Sequence, residues 1–207
     1  MISNPTRLLP TWAAAGLSAL AMLSLPAAST ARVAAVVSRD SVSEFVGRAQ
    51  IHVLNSTDIS TADPVANRIG CLNAQGLLTL DDCAVFTRAD DPNTHHTLST
   101  SLGNCSFQNP NMPLNVDSIY GRDTHAWSCG PESDPAGLGG LAEYYYTISG
   151  FNYPFVCQGN INCWYDMKAI VPGKDTDPIP LWAYYWGGQQ LDVPAGHWRV
   201  LWFWSRV

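Results

Sequence analysis

The sequence has little charge and no surplus of positive charge. Lys and Arg together number 11 against 17 Asp and Glu, and charged residues make up only 14% of the 207 residues. An acidic surface repels phosphate backbones, so nucleic acid is not expected as a partner. Hydrophobic residues reach 46% and aromatic residues 11%, a composition unlike that of disordered chains. The chain is therefore predicted to fold.

Motifs of common catalytic sites are also absent. No Gly-x-Ser-x-Gly segment presents a nucleophilic serine, and no glycine loop followed by Lys could cradle a phosphate. The cysteines lack the Cys-x-x-Cys spacing of zinc sites. His95-His96 beside Asp90 and Asp91 fits a solvated turn better than a metal site, and Asp175-x-Asp177 lacks the further oxygen ligands of a calcium loop. No catalytic residue, metal or cofactor is predicted.

Long apolar runs are missing except near the N-terminus, where residues 8–25 are mostly apolar and follow the positive charge of Arg7. The small residues of Ser29-Thr30-Ala31 are of the kind that a signal peptidase reads. Residues 1–31 are therefore predicted to form a signal peptide that is cleaved before Arg32.

Two alternatives concern this leader. Cleavage after Ala28 fits almost as well, whereas an uncleaved membrane anchor is disfavoured by Pro10 and Pro26. After cleavage, residues 32–207 are expected to be a secreted, extracellular domain with no membrane attachment. Its first part, residues 32–44, is expected to be partly mobile.

All six cysteines follow the predicted cleavage site. An even number of cysteines in an exported chain predicts disulfides, although the sequence leaves several pairings open. The favoured pairing joins neighbours along the chain: Cys71 with Cys83, Cys105 with Cys129, and Cys157 with Cys163. The triplets that begin at Asn55 and Asn104 also match the acceptor pattern of N-glycosylation, Asn55 being the better candidate.

Short apolar runs alternate with Gly, Pro, Asn, Asp and Ser about every eight to twelve residues, and helical periodicity is hard to find. This rhythm predicts an all-β single domain, a disulfide-stabilised sandwich or partly open barrel, with an internal loop at 130–140. The predicted strands are Phe45–Leu54, Gly76–Leu80, Ala84–Thr87, His96–Thr100, Ala126–Cys129, Glu143–Ile148, Leu181–Trp186 and His197–Trp204.

The C-terminal strands are the richest in aromatic residues. In His197–Trp204, Trp198 and Trp202 share one face with Val200, while Leu201 lies on the opposite face. Strands that are apolar on both faces are usually central in a sheet. Leu181–Trp186 is predicted to pair with this strand as a C-terminal hairpin in the centre of the domain.

A pattern of short motifs runs through residues 70–129. In order, they are Gly70-Cys71-Leu72, Gly76-Leu77-Leu78-Thr79, Asp82-Cys83-Ala84-Val85-Phe86-Thr87, Leu98 to Cys105, and Trp127-Ser128-Cys129-Gly130. The segment resembles the small cysteine-bearing β domain at the C-terminus of fungal T-two type ribonucleases, which also occurs as a stand-alone secreted protein. The chain departs from that pattern at Leu78, in its insert Gln108–Ala126 and in its Trp-rich end.

The resemblance implies a non-catalytic module, for which binding of the cell wall or of polysaccharide is the usual suggestion. The His-Gly-Leu-Trp motif of the catalytic half of those ribonucleases is absent. Trp182, Tyr184 and Trp186 alternate along one strand, and exposed rings of this kind can stack on sugars. The alternative is that the three rings fill the core, which the apolar patterning of the neighbouring strand favours.

Two further functions remain open. A small nuclease-like hydrolase would use His125 or His197 with Arg199, because acid/base chemistry on a phosphate needs two close histidines and a cation. A secreted effector or toxin that acts on a host protein would leave no local motif. The first expectation is a non-catalytic secreted protein that binds cell-wall polysaccharide through Trp182, Tyr184 and Trp186.

Overall fold

Twelve β-strands and one turn of 3₁₀ helix at Pro131–Ser133 form the regular structure of the described residues, which include no α-helix. The computed structural model describes residues 45–89, 97–133, 144–159, 163–173 and 178–207. The predicted signal peptide, residues 32–44 and most of the predicted loop at 130–140 lie outside these ranges. Within them, no helix is long and apolar enough to cross a membrane.

The all-β prediction is confirmed. All strand pairs are antiparallel, and the strands form one open sheet that is not closed into a barrel. The strands are β1 (Arg48–Leu54), β2 (Arg68–Leu72), β3 (Leu78–Thr79), β4 (Phe86–Arg88), β5 (Leu98–Thr100), β6 (Gly103–Ser106), β7 (Ser128–Cys129), β8 (Tyr145–Thr147), β9 (Phe155–Gln158), β10 (Trp164–Lys168), β11 (Leu181–Ala183) and β12 (His197–Arg206).

The two longest strands, β1 and β12, pair along their length at the centre of the sheet, from Ala49 opposite Arg206 to Leu54 opposite Leu201. The other edge of β12 is shared by β10 and β9, and the other edge of β1 by β4 and β2. The central position predicted for the Trp-rich last strand is therefore confirmed.

The predicted C-terminal hairpin is wrong. β11 pairs with β10, and β10 lies between β11 and β12. β10 was not predicted because Asp166 and Lys168 interrupt its apolar pattern. The two C-terminal strands thus belong to one sheet, but they are separated by the strand that carries these two charges.

Alternation along β10 and β12 divides the sheet into two faces. One face, here called the apolar face, includes Tyr165, Met167, Val200 and Trp202, which belong to the main hydrophobic core. On it Trp202 stacks on Tyr165 with ring centroids 3.5 Å apart. The opposite face carries a smaller hydrophobic cluster at the β9 end of β12, composed of Leu54, Ala62, Phe155, Cys157, Cys163 and Leu201.

Three disulfides hold the strand ends, and the described residues leave no cysteine free. Their pairing is the neighbour-to-neighbour pairing predicted from the sequence: Cys71 with Cys83, Cys105 with Cys129, and Cys157 with Cys163. The second bridge joins directly opposed residues of β6 and β7. Short strands that would fray on their own are therefore cross-linked.

Candidate functional site

The three aromatic residues predicted as a sugar platform do not lie together on the surface. Trp182 and Tyr184 are 2% and 5% exposed, whereas Trp186 is 68% exposed. Trp182 is covered because residues 112–126, here called the covering loop, lie across it, and its indole Nε1 donates to the carbonyl oxygen of Pro113 at 2.9 Å. Trp182 and Tyr184 are buried as the core alternative predicts, so the prediction of a three-ring platform is wrong for these two residues.

Two other exposed aromatic residues lie close to Trp186 along the backbone. Tyr185 precedes it in the chain, and the ring of Tyr120, in the covering loop, packs against Gly187; they are 38% and 43% exposed. The Tyr120 hydroxyl accepts from the backbone N–H of Gln189 at 3.0 Å, which ties the loop to the chain just beyond Trp186. We call Tyr120, Tyr185 and Trp186 the aromatic surface. It was missed in the sequence because Tyr120 stands alone in an aperiodic insert.

The aromatic surface is held by a tight turn. Gly187 and Gln190 exchange two backbone hydrogen bonds, at 2.8 and 3.1 Å. A Cβ atom placed on Gly187 would lie 2.6 Å from the Tyr120 ring, so only glycine allows the ring to pack against the backbone here. The Gln190 side-chain oxygen accepts from the N–H of Ile119 at 2.6 Å. Loop and turn therefore support each other.

A line of polar side chains runs from the covering loop to the face of the sheet opposite the apolar face. His197 Nδ1 is 2.6 Å from Asp166 Oδ1, and its Nε2 is 3.3 Å from Asp117 Oδ2. Asn115 donates through Nδ2 to the second Asp166 oxygen at 2.7 Å. We call Asn115, Asp166, His197 and Asp117 the polar line. It joins the covering loop to β10 and β12.

The two carboxylates of the polar line have different environments. Burial raises the pKa of Asp166, against the opposing effect of its hydrogen bonds from Asn115 and His197. The hydrogen bond with His197 lowers the pKa of Asp117, and the ammonium of Lys168, 3.5 Å away, acts in the same direction. Asp166 is almost fully buried, while the Asp117 side chain is about half exposed.

The histidines of the hydrolase alternative are both engaged. His125 Nδ1 is 2.8 Å from the Met112 carbonyl oxygen, and both nitrogens of buried His197 face carboxylates. Arg199 lies between the Trp164 and Tyr184 rings, its guanidinium carbon 5.0 and 5.8 Å from their centroids. Each of the three side chains thus has contacts within the fold, and the hydrolase alternative stays a prediction.

A separate concavity of about 470 Å³ lies on another part of the sheet, lined by Arg48, Asp82, Thr87, Thr100 and Ser101 among others. It is open and carries one positive and one negative side chain, so it favours neither sign of ligand charge. In the described ranges no group of three or more His, Cys, Asp or Glu side chains could hold a metal ion.

The remaining predicted sites differ in position. Asn104 is exposed on β6, and Asn55 is partly buried just after β1. Glycosylation of either residue stays a prediction. The residues considered for a metal, His95-His96 with Asp90 and Asp91, and Asp175 with Asp177, lie outside the described residues.

No family model, no curated protein and no solved structure matches this chain. The aromatic surface, the polar line and the disulfides are therefore the features that bear on function.

Proposed function

We propose that this protein is a secreted, non-catalytic protein that binds cell-wall polysaccharide through Tyr120, Tyr185 and Trp186. The observation that carries the proposal is the exposure of three aromatic side chains on two mutually bonded segments. Large rigid rings offer contact area at low entropic cost, and exposed apolar patches mark binding sites more often than chance. Sugar rings present apolar faces that such side chains can cover.

Four features of the chain support this function. The predicted signal peptide and the three disulfides suit an extracellular protein. The resemblance of residues 70–129 to the non-catalytic domain of fungal ribonucleases points to polysaccharide. The formal charge of −6 favours an uncharged glycan over a polyanion, because like charges repel.

The test is retention of the purified protein on insoluble chitin, β-glucan and mannan. We expect one of these polymers to retain the wild type, and Trp186→Ala to lower the affinity about tenfold, the effect of losing one well-packed aromatic contact. Tyr120→Ala should act in the same direction. Val65→Ala is the matched control, because Val65 is 92% exposed and lies in the separate β1–β2 connection.

Two results would contradict the proposal. If none of the three polymers retained the wild type, polysaccharide binding would lose its support. If a polymer retained Trp186→Ala and Tyr120→Ala as well as it retained the Val65→Ala control, binding would have to occur elsewhere. Near-ultraviolet circular dichroism of each variant would show that the fold is intact.

A further inference from the structure

The covering loop carries Tyr120, and the polar line is one of its connections to the sheet. Two contacts within the polar line cross this boundary: Asn115 with Asp166 at 2.7 Å, and Asp117 with His197 at 3.3 Å. Asp117 lies three residues before Tyr120. Whatever changes the Asp117 contact therefore acts on the segment that presents one ring of the aromatic surface.

The two contacts of His197 depend on how many protons the polar line holds. A ring nitrogen without hydrogen and an ionised carboxylate oxygen are both acceptors, so each contact requires one hydrogen between nitrogen and oxygen. Both contacts exist together when His197 carries hydrogen on both nitrogens, or when one of the two carboxyl groups keeps a proton and donates it to the ring nitrogen that it faces. Burial, which raises the pKa of Asp166, favours retention of the proton on Asp166.

Loss of one proton leaves a single hydrogen for the two contacts. One ionised carboxylate then faces the lone pair of a ring nitrogen, and these two acceptors repel each other. Asp166 cannot move away, because it is buried on β10 and held by Asn115. Asp117 is about half exposed and can turn into water. The contact that opens is therefore the one between Asp117 and His197.

We propose that the Asp117–His197 contact is a proton-dependent latch of the covering loop, closed at acidic pH and open at alkaline pH. The consequence for ligands rests on the proposed function: polysaccharide should bind more tightly when the latch holds Tyr120 in place. The low pKa of Asp117, caused by its hydrogen bond with His197, keeps this carboxylate ionised and the latch closed well into the acidic range.

Neighbouring charges set the size of the effect. Lys168 on β10 also contacts Asp117, at 3.5 Å. This ion pair does not involve His197, so it still attracts Asp117 to the sheet when the latch opens. Arg199 lies opposite Asp166 in the strand register, but its guanidinium contacts Asp192 and the Thr57 carbonyl oxygen. On β11, the Trp182 ring lies 6.1 Å from the imidazole and carries no charge. The latch should therefore be modest in strength.

The test that needs no ligand is hydrogen exchange of the full chain at pH 5 and pH 9, corrected for intrinsic exchange. The amides of Ile119 and Gly121 report loop opening, because both donate within the loop region, to Gln190 Oε1 and Ser118 Oγ. We expect their protection to fall about three- to tenfold at pH 9, the range for a partly exposed charged hydrogen bond.

Two variants separate the latch from general alkaline loosening. Asp117→Asn should abolish the pH dependence, because an amide can accept from an N–H or donate to a lone pair. Lys168→Met removes the neighbouring charge but leaves the polar line intact, so its pH dependence should remain. Equal protection of the wild type at both pH values, or the same pH dependence in Asp117→Asn, would overturn the latch.

Retention on chitin, β-glucan and mannan at both pH values tests the link to function. A polymer that retains the wild type about three- to tenfold better at pH 5 than at pH 9, but retains Asp117→Asn equally, supports it. Equal retention of the wild type at both pH values overturns the link. No retention at any pH contradicts the proposed function, while the exchange measurements decide the latch independently.

Discussion

Strands β10 and β12 are paired neighbours in the sheet, and the two faces of this pair carry different types of side chain. On the apolar face, Tyr165 and Trp202 stack on each other inside the main core. On the opposite face, Asp166 and His197 form a buried pair beneath the covering loop. Apolar packing stabilises the fold but depends little on the orientation of the side chains. Buried polar contacts are directional, so the second face fixes where the loop lies.

The comparison predicts that the apolar face contributes more to stability. Trp202 is fully buried, stacks on Tyr165 and lies with its ring centroid 4.7 Å from that of Trp127. Trp202→Ala should lower the free energy of unfolding by about 3 to 5 kcal/mol, because it leaves a large cavity. Urea denaturation at pH 7 would measure the loss. Trp202→Phe is the control and should lose less, and an equal loss in both would contradict the packing argument.

The opposite face should respond to the loss of hydrogen bonds rather than of volume. Asp166→Ala leaves His197 Nδ1 and the Asn115 amide without their partner and should lower the free energy of unfolding by about 2 to 3 kcal/mol. Asp166→Asn keeps an oxygen for Asn115 and a donor for His197, so its loss should be smaller. The same denaturation measurement applies. If Asp166→Asn were as unstable as Asp166→Ala, the hydrogen bonds would not be the cause.

The two faces also differ in how far the sequence predicts them. The apolar face follows from alternation: Trp202 and Val200 recur at every second residue, and both lie in the main core as expected. The neighbour-to-neighbour disulfide pairing, favoured among several that the sequence leaves open, is also confirmed. Both features depend on spacing along the chain, which a single sequence shows.

The polar line could not be predicted because its members come from distant parts of the chain. Asn115 and Asp166 are 51 residues apart, and Asp117 and His197 are 80 residues apart. In the sequence, His197 stands out only as a candidate of the hydrolase alternative, and nothing there indicates its two carboxylate partners. The turn at 187–190, with two glycines after a run of aromatic residues, was a local signal for the aromatic surface. Its partner Tyr120 gave none.

The smallest predicted effect concerns a histidine on the same face as the polar line but outside it. His52 lies opposite Phe203, with ring centroids 6.0 Å apart, and its Nε2 is 3.3 Å from the side-chain oxygen of Gln50. Burial, together with the nearby charge of Arg68, lowers the pKa of His52 to about 4. This imidazole is therefore neutral in the folded protein at pH values where it is charged in the unfolded chain.

The sign of the pH dependence follows from proton binding. Between its ordinary pKa of 6.5 and its folded pKa of about 4, the unfolded state binds the proton more tightly, so acid favours unfolding. The contribution of neutral His52 to stability is fully present above pH 6.5 and is lost as the pH falls towards 4. Because the site is only half buried, we expect a loss of about 1 kcal/mol. Urea denaturation of the wild type and His52→Gln at pH 7 and pH 4.5 isolates this contribution from that of the carboxylates. Equal pH dependence in the two proteins would show that protonation of His52 does not destabilise the folded state.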